Sequence, residues 1–182
     1  MKPILLALPL CLTFVVPTFA DPGKDAIKKV EAVFEPAQAK PGQTVTVKII
    51  VELADGYHTY PVVQQVPEAK FSVNSITFPA STSVVFVGDT IDPVGPKTKK
   101  TEDYEYLVYP GGGTWTRKAV VLPSAKAGAT TAKVKLKLSV CDEDRCFPPK
   151  PYEFDVAIKV LDGPAEKVDP KYKAEVEKAE KK

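Results

Sequence analysis

Between Ala132 and Val140 the chain alternates without interruption: Ala132, Val134, Leu136, Leu138 and Val140 are apolar, while Lys133, Lys135, Lys137 and Ser139 are polar. Successive side chains of a β-strand point to opposite faces, so a two-residue period gathers the apolar groups on one side. A helix would scatter them around its circumference. The same period runs through Thr44 to Leu53, where Val45, Val47, Ile49, Val51 and Leu53 share a face. It returns from Tyr152 to Val160, with Phe154, Val156, Ile158 and Val160 inward. Weaker strand signals cover Ile27–Phe34, Tyr57–Tyr60, Phe71–Phe78, Ser83–Val87, Tyr104–Tyr109 and Thr114–Leu122. Turn residues separate nearly all of these segments: Pro41-Gly42, Asp55-Gly56, Gly88-Asp89, Pro110 with Gly111 to Gly113, and Ala127-Gly128.

Short alternating strands with proline- and glycine-rich turns predict an all-β, immunoglobulin-like antiparallel β-sandwich. Hydrophobic residues make up 44% of the chain, enough for a core, and eighteen prolines against one Met argue against a helical bundle. Residues 1–20 read as a signal peptide: Lys2 is a short positive region, Ile4 to Val16 is apolar, and Pro17-Thr18-Phe19-Ala20 ends in small residues. Cleavage near Ala20 is expected to leave an exported, periplasmic or otherwise extracytoplasmic chain of about 160 residues. The apolar run is too short to cross a bilayer and no later run is longer, so no membrane insertion of the mature chain is expected. Cys11 lies in this leader behind Leu10 and is not read as a lipid-anchored cysteine. Residues 21–162 form the predicted domain, and 163–182, rich in Lys and Glu, read as a charged tail, disordered or partly helical from Pro170. Twenty-five basic against 23 acidic residues, with no basic stripe, argue against nucleic-acid binding.

The mature chain keeps two cysteines, Cys141 and Cys146, in the stretch VCDEDRCFPPKP. Three readings compete for them. A closed zinc site wants four Cys or His ligands, and only His58 could join the pair, so no metal is expected. A structural disulfide is the default for an exported β-domain, yet so small a ring stabilises by only about 2 kcal/mol in the chain-entropy model. The flanking strands would already close most of that loop. Strand phase also places Cys141 on the outward parity with Lys137 and Ser139, away from the core. A redox pair needs two sulfurs close enough to bridge on a reachable surface, which a hairpin loop supplies. Asp142, Glu143 and Asp144 oppose a thiolate there, Arg145 and Lys150 favour one, and Pro148-Pro149 stiffens the chain behind Cys146.

Cys141-x4-Cys146 with an aromatic residue and Pro148-Pro149 behind it, at the bend of a late hairpin, resembles the N-terminal periplasmic domain of the thiol:disulfide interchange protein DsbD. Gly56-Tyr57-His58-Thr59-Tyr60 resembles a second segment of that family, and the likeness covers roughly Val30 to Leu161. The resemblance implies an immunoglobulin-like sandwich that passes electrons between a membrane electron carrier and thioredoxin-like envelope proteins, with no cofactor. It implies a Cys141–Cys146 disulfide that cycles, with Cys146 as the attacking thiol and Cys141 resolving the mixed disulfide. It also implies an aromatic cap loop, matched by position to Thr101–Tyr106, with Asp103 in the loop and Tyr104 or Tyr106 as lid. His58 and Tyr60 are expected near the pair. With no electron carrier or thioredoxin-like domain in the chain, the module is expected to dock on separate partners. The alternative from another class is an envelope immunoglobulin-like binding module whose disulfide is a passive clasp.

Other features carry blander readings. His58 reads as a hydrogen-bonded histidine at a strand end, Trp115 as a core aromatic, and Lys97–Lys100 as a solvated loop. No Ser/His/Asp set, phosphate-cradling Gly loop or paired carboxylates support a hydrolase or nucleotide enzyme.

Overall fold

The strands follow one another as the alternation predicts. In a computed structural model that describes residues 25–181, they are β1 (Ile27–Glu35), β2 (Gln38–Ala39), β3 (Thr44–Leu53), β4 (His58–Thr59), β5 (Ser75–Thr77) and β6 (Val84–Ile91). β7 (Lys97–Lys100), β8 (Glu105–Pro110), β9 (Gly112–Val121), β10 (Gly128–Leu138) and β11 (Lys150–Val160) complete the set. The expected signal peptide and its cleavage point lie outside the described residues.

Two four-stranded sheets face each other, ordered β1-β3-β9-β6 and β2-β11-β10-β5, and a small third sheet runs β4-β8-β7. The neighbouring pairs within these sheets are antiparallel except β11 with β2. This is the predicted all-β sandwich. The core is the set of residues that alternation selected: Val45, Val47, Ile49, Val51 and Leu53 from β3, and Ala132, Val134, Leu136 and Leu138 from β10, are all buried. Val156, Ile158 and Val160 of β11 join them, with Trp115 of β9 wholly enclosed. On the outer face of β10 and β11 the register sets Lys133 against Asp155 and Lys135 against Glu153, at 2.9 and 2.7 Å. Such exposed cross-strand pairs contribute a few tenths of a kcal/mol each at best, so they fix register more than stability.

The reversal between β8 and β9 runs through Gly111 and Gly112, both with positive φ. At Gly112 a Cβ would collide with the Val51 carbonyl oxygen, so this position needs its missing side chain to let β9 lie against β3.

Two segments differ from their sequence reading. Lys97–Lys100 is not a loop but β7, paired with β8 from Lys97 opposite Val108 to Lys100 opposite Glu105. An edge strand is held by backbone hydrogen bonds and needs no buried side chain, so its charge hid it. The tail read as solvated is docked: a 3-10 turn at Pro170–Tyr172 leads into α1 (Lys173–Glu180), and Tyr172 and Val176 are buried against the main core. Asp169 caps the turn by accepting from the Lys171 N–H at 2.9 Å. Two apolar residues four apart make a stripe one side chain wide, which composition averages away. Val176→Asp is therefore expected to lower unfolding free energy by about 2 kcal/mol, while Glu177→Ala stays within about 0.5 kcal/mol of wild type. Urea unfolding followed by tryptophan fluorescence compares the two; equal effects would mean that α1 does not pack on the core.

Candidate functional site

β10 does not stop where its regular pairing ends. Val140 accepts from the Phe147 N–H at 2.9 Å, and Cys141 bridges Cys146 across the loop, their Cα atoms 4.0 Å apart and their sulfurs joined in a disulfide. The four residues between are folded tightly. The Asp142 N–H donates to the Arg145 carbonyl at 3.0 Å, and Asp142 Oδ1 accepts from the N–H groups of Asp144 and Arg145 at 2.9 and 2.8 Å. The Arg145 N–H first and the Asp144 N–H second hold the Asp142 carboxyl below the usual carboxylate range. Arg145 also leans over the Phe147 ring at 5.2 Å, and Phe147 is buried against the main core.

The loop is anchored on its other side to β4. His58 and Cys141 exchange both backbone hydrogen bonds, at 2.9 and 3.0 Å. One residue further on, Thr59 and Asn74, both fully buried, lock β4 to the end of β10. Thr59 Oγ1 donates to the Ser139 carbonyl at 2.7 Å and accepts from Asn74 Nδ2 at 2.9 Å. Asn74 Nδ2 also donates to the Tyr60 carbonyl at 2.7 Å, and Asn74 Oδ1 accepts from the Ser139 N–H at 2.9 Å. Every polar group of this clamp has a partner, so it is rigid where a half-satisfied one would be a liability.

The clamp aims Tyr60 at the sulfurs. Its hydroxyl lies 2.8 Å from Cys141 Sγ and 3.5 Å from Cys146 Sγ. Burial, with smaller contributions from Tyr106 and Tyr104, pushes the phenol up to about 12, so it keeps its proton and can donate. Tyr60, Val108 and Cys141 form a small apolar cluster of their own, separate from the sandwich core, with Tyr106 packed on it. Tyr106 stands 6.3 Å from Tyr60 and Tyr104 stands 6.0 Å from Tyr106, ring centre to ring centre. The three tyrosines are arranged outward from the disulfide: the Tyr60 hydroxyl touches Cys141 Sγ, Tyr106 packs on Tyr60, and Tyr104 stands next to Tyr106. Asp103 sits exposed at the β7–β8 turn, whose geometry Thr101 Oγ1 organises.

One expectation needs correction. Parity put Cys141 on the outward face, and it is indeed outside the main core, but it is only 2% exposed because β4 and β8 cover it. Cys146 is the exposed sulfur of the pair. Val108, Asn74 and Ser139 were not singled out from sequence; Asn74 lies in a weak strand signal and carries no local pattern.

His58 is buried beside Tyr60, ring centres 5.6 Å apart edge to face. Burial foremost, and then the charge of Lys99, lower its pKa from 6.5 to about 4, with Asp142 opposing. Among the described residues no three Cys, His, Asp or Glu side chains gather as a metal-binding group. A histidine that takes up its proton more readily unfolded than folded favours the folded state fully above pH 6.5 and loses that contribution as pH falls towards 4. Wild type should therefore lose more unfolding free energy between about pH 7 and about pH 5 than His58→Phe does. Parallel urea titrations measure this; identical pH slopes would show that His58 is not the group responsible.

The comparisons with known proteins fit this geometry. The family model for the N-terminal domain of the thiol:disulfide interchange protein DsbD matches residues 24–158. Among solved structures, the N-terminal periplasmic domain of ScsB from Proteus mirabilis is similar at a TM-score of 0.51 and 20% identity, covering 88% of this chain. The chain spans 56% of that protein's length. The DsbD N-terminal domain of Neisseria meningitidis in its reduced form aligns at 22% identity over 76% of this chain and 90% of its own, with a TM-score of 0.37. No curated protein matches the chain. Among the described residues no helix is long and apolar enough to cross a membrane. With the family model matched across most of the chain and a cysteine pair bridged at the bend of the β10–β11 hairpin, the chain belongs to the family of DsbD N-terminal domains.

Proposed function

We propose that this module relays electron pairs in the periplasm between a membrane-bound electron carrier and thioredoxin-like envelope proteins, with Cys146 as the sulfur that meets each partner. The observation that carries this reading is the asymmetry of the pair: Cys146 is exposed, while Cys141 is 2% exposed beneath Tyr60. A partner thiolate needs in-line access to the sulfur it attacks, and only Cys146 offers it.

In the charging half-reaction a partner thiolate attacks Cys146 Sγ. The Cys141–Cys146 bond breaks and Cys141 leaves as a thiolate. The Tyr60 hydroxyl, 2.8 Å from that sulfur, is placed to donate to the developing charge. The partner's second thiolate then attacks its own sulfur in the mixed disulfide, leaving as a disulfide and releasing the Cys146 thiolate. Two electrons have moved from a partner dithiol to this pair. In the discharging half-reaction Cys146 attacks a second partner's disulfide, and Cys141 resolves the mixed disulfide to restore the bridge. The chemistry needs no metal or organic cofactor. Tyr60, Tyr106 and Tyr104 exclude water and adventitious thiols from Cys141, with Tyr106 as the backing that a docking partner displaces.

The Cys141→Ala variant is expected to accumulate mixed disulfides through Cys146 with envelope proteins, resolved on non-reducing gels, and Cys146→Ala is expected to yield few. Adducts through Cys141 alone would reverse the assignment. Equilibration with glutathione should return a reduction potential above about −300 mV; a lower value would mark a structural bridge and return the pair to a clasp. Tyr60→Phe is expected to slow reduction of the bridge by about tenfold by removing one hydrogen bond to a charged leaving group, with stopped-flow kinetics against a model dithiol as the readout.

A further inference from the structure

On β9 the residues that face the core are Trp115, Ala119 and Val121, all wholly buried, and Arg117 shares their phase. Its neighbour across the sheet is Val47, wholly buried as well. A guanidinium therefore points into the sandwich where alternation calls for an apolar side chain. Among the described residues no carboxylate pairs with it, and Arg117 Nε is buried without a hydrogen-bond partner. What it touches is an aromatic face: its guanidinium carbon lies 4.7 Å from the centre of the Phe78 ring. Arg117 is half-buried, so its guanidinium keeps some access to solvent at the sheet edge while its Nε is enclosed, and the cation–π contact with Phe78 holds it in place.

Arg117 lines a cavity of about 850 Å³ at the open edge of the sandwich, between the segment leading from β5 to β6 and helix α1. Phe78 and Phe86, 4.6 Å apart, form its apolar wall. Two glutamates of α1 also line it, but each is turned to a backbone donor. Glu175 Oε1 accepts from the Gly88 N–H at 3.2 Å and Glu180 Oε1 from the Ser124 N–H at 3.0 Å. Lys178 adds a second cation to the lining. A space of this size, mostly apolar, with two cations and two carboxylates around it and Arg117 beside the aromatic wall without a carboxylate partner, has the make-up of a small-molecule site.

We propose that this cavity binds a small organic anion, one carboxylate on an apolar body, with the carboxylate on the Arg117 guanidinium and the body against Phe78 and Phe86. The site is separate from the cysteine pair: Phe78 and Phe86 pack against the main core, whereas Cys141 belongs to the cluster with Tyr60 and Val108. The apolar body could be aromatic or a short acyl chain, and the test separates them.

Amide spectra of the full exported chain would be titrated with phenylacetate and octanoate, and with 2-phenylethanol and 1-octanol as uncharged counterparts. At least one carboxylate should give saturable shifts at Phe78, Phe86 and Arg117, with its alcohol binding about tenfold more weakly, as expected for loss of a charge-assisted contact. The preferred carboxylate identifies the aromatic or acyl class. Arg117→Gln should weaken carboxylate binding by about tenfold while leaving the spectrum outside the cavity and the reduction of the disulfide unchanged. Failure of both carboxylates to saturate, equal binding of acid and alcohol, or shifts confined to other surfaces would each overturn the proposal, and these arms need no variant.

Discussion

The clamp between Thr59, Asn74 and Ser139 is the joint on which the site depends. Without it, β4 would be two residues held to β8 by a short pairing, and the loop carrying the cysteines would be tied to β4 by the single backbone pairing of His58 with Cys141. With it, the end of β10 and the start of the Tyr60 segment become one rigid unit, buried and fully hydrogen-bonded. The position of a phenol relative to two sulfurs is then decided by the backbone of a sheet rather than by the preferences of a loop. Rigid support of this kind is what lets a reactive group be presented at a surface without being lost to motion.

The clamp also explains why the two cysteines, five positions apart in sequence, have such different surroundings. Cys141 sits in the backbone ladder with His58 and under Tyr60, so it is screened from solvent. Cys146 occupies the other side of the same bridge and faces out. The difference in exposure between the two sulfurs follows from one strand lying over one of them. No difference in local charge is required, since Asp142, Glu143, Asp144 and Arg145 lie between both.

Much of the sandwich was legible because alternation reports directly on burial. The inward residues of β3 and β10 named from sequence are all core residues, and β10 and β11 pair as their matching patterns imply. The cysteine pair and its aromatic neighbours were legible through motif resemblance, since Gly56–Tyr60 and the Cys-Pro stretch are both local. What escaped were facts about layering. Parity tells which way a side chain leaves its own strand and says nothing of what lies above it, so Cys141 was expected outside the core and found beneath a second sheet. Asn74 escaped because its role is defined by partners 14, 15 and 65 positions away. The helix from Pro170 was anticipated, but β7 and the docking of α1 escaped because lysine-rich segments look solvated whether or not their backbone is paired or a single stripe is buried.

The docking of α1 has a consequence for how copies of this protein behave towards one another. β6 is the outer strand of its sheet, and an outer strand offers unpaired N–H groups to any extended chain that drifts past. Glu175 occupies one of these donors, the Gly88 N–H, and α1 itself packs along that edge. The helix thus works as a fender on the β6 side of the sheet, hindering neighbouring chains from pairing along that edge. Removing the helix would uncover that flank and leave its edge open to an incoming extended chain.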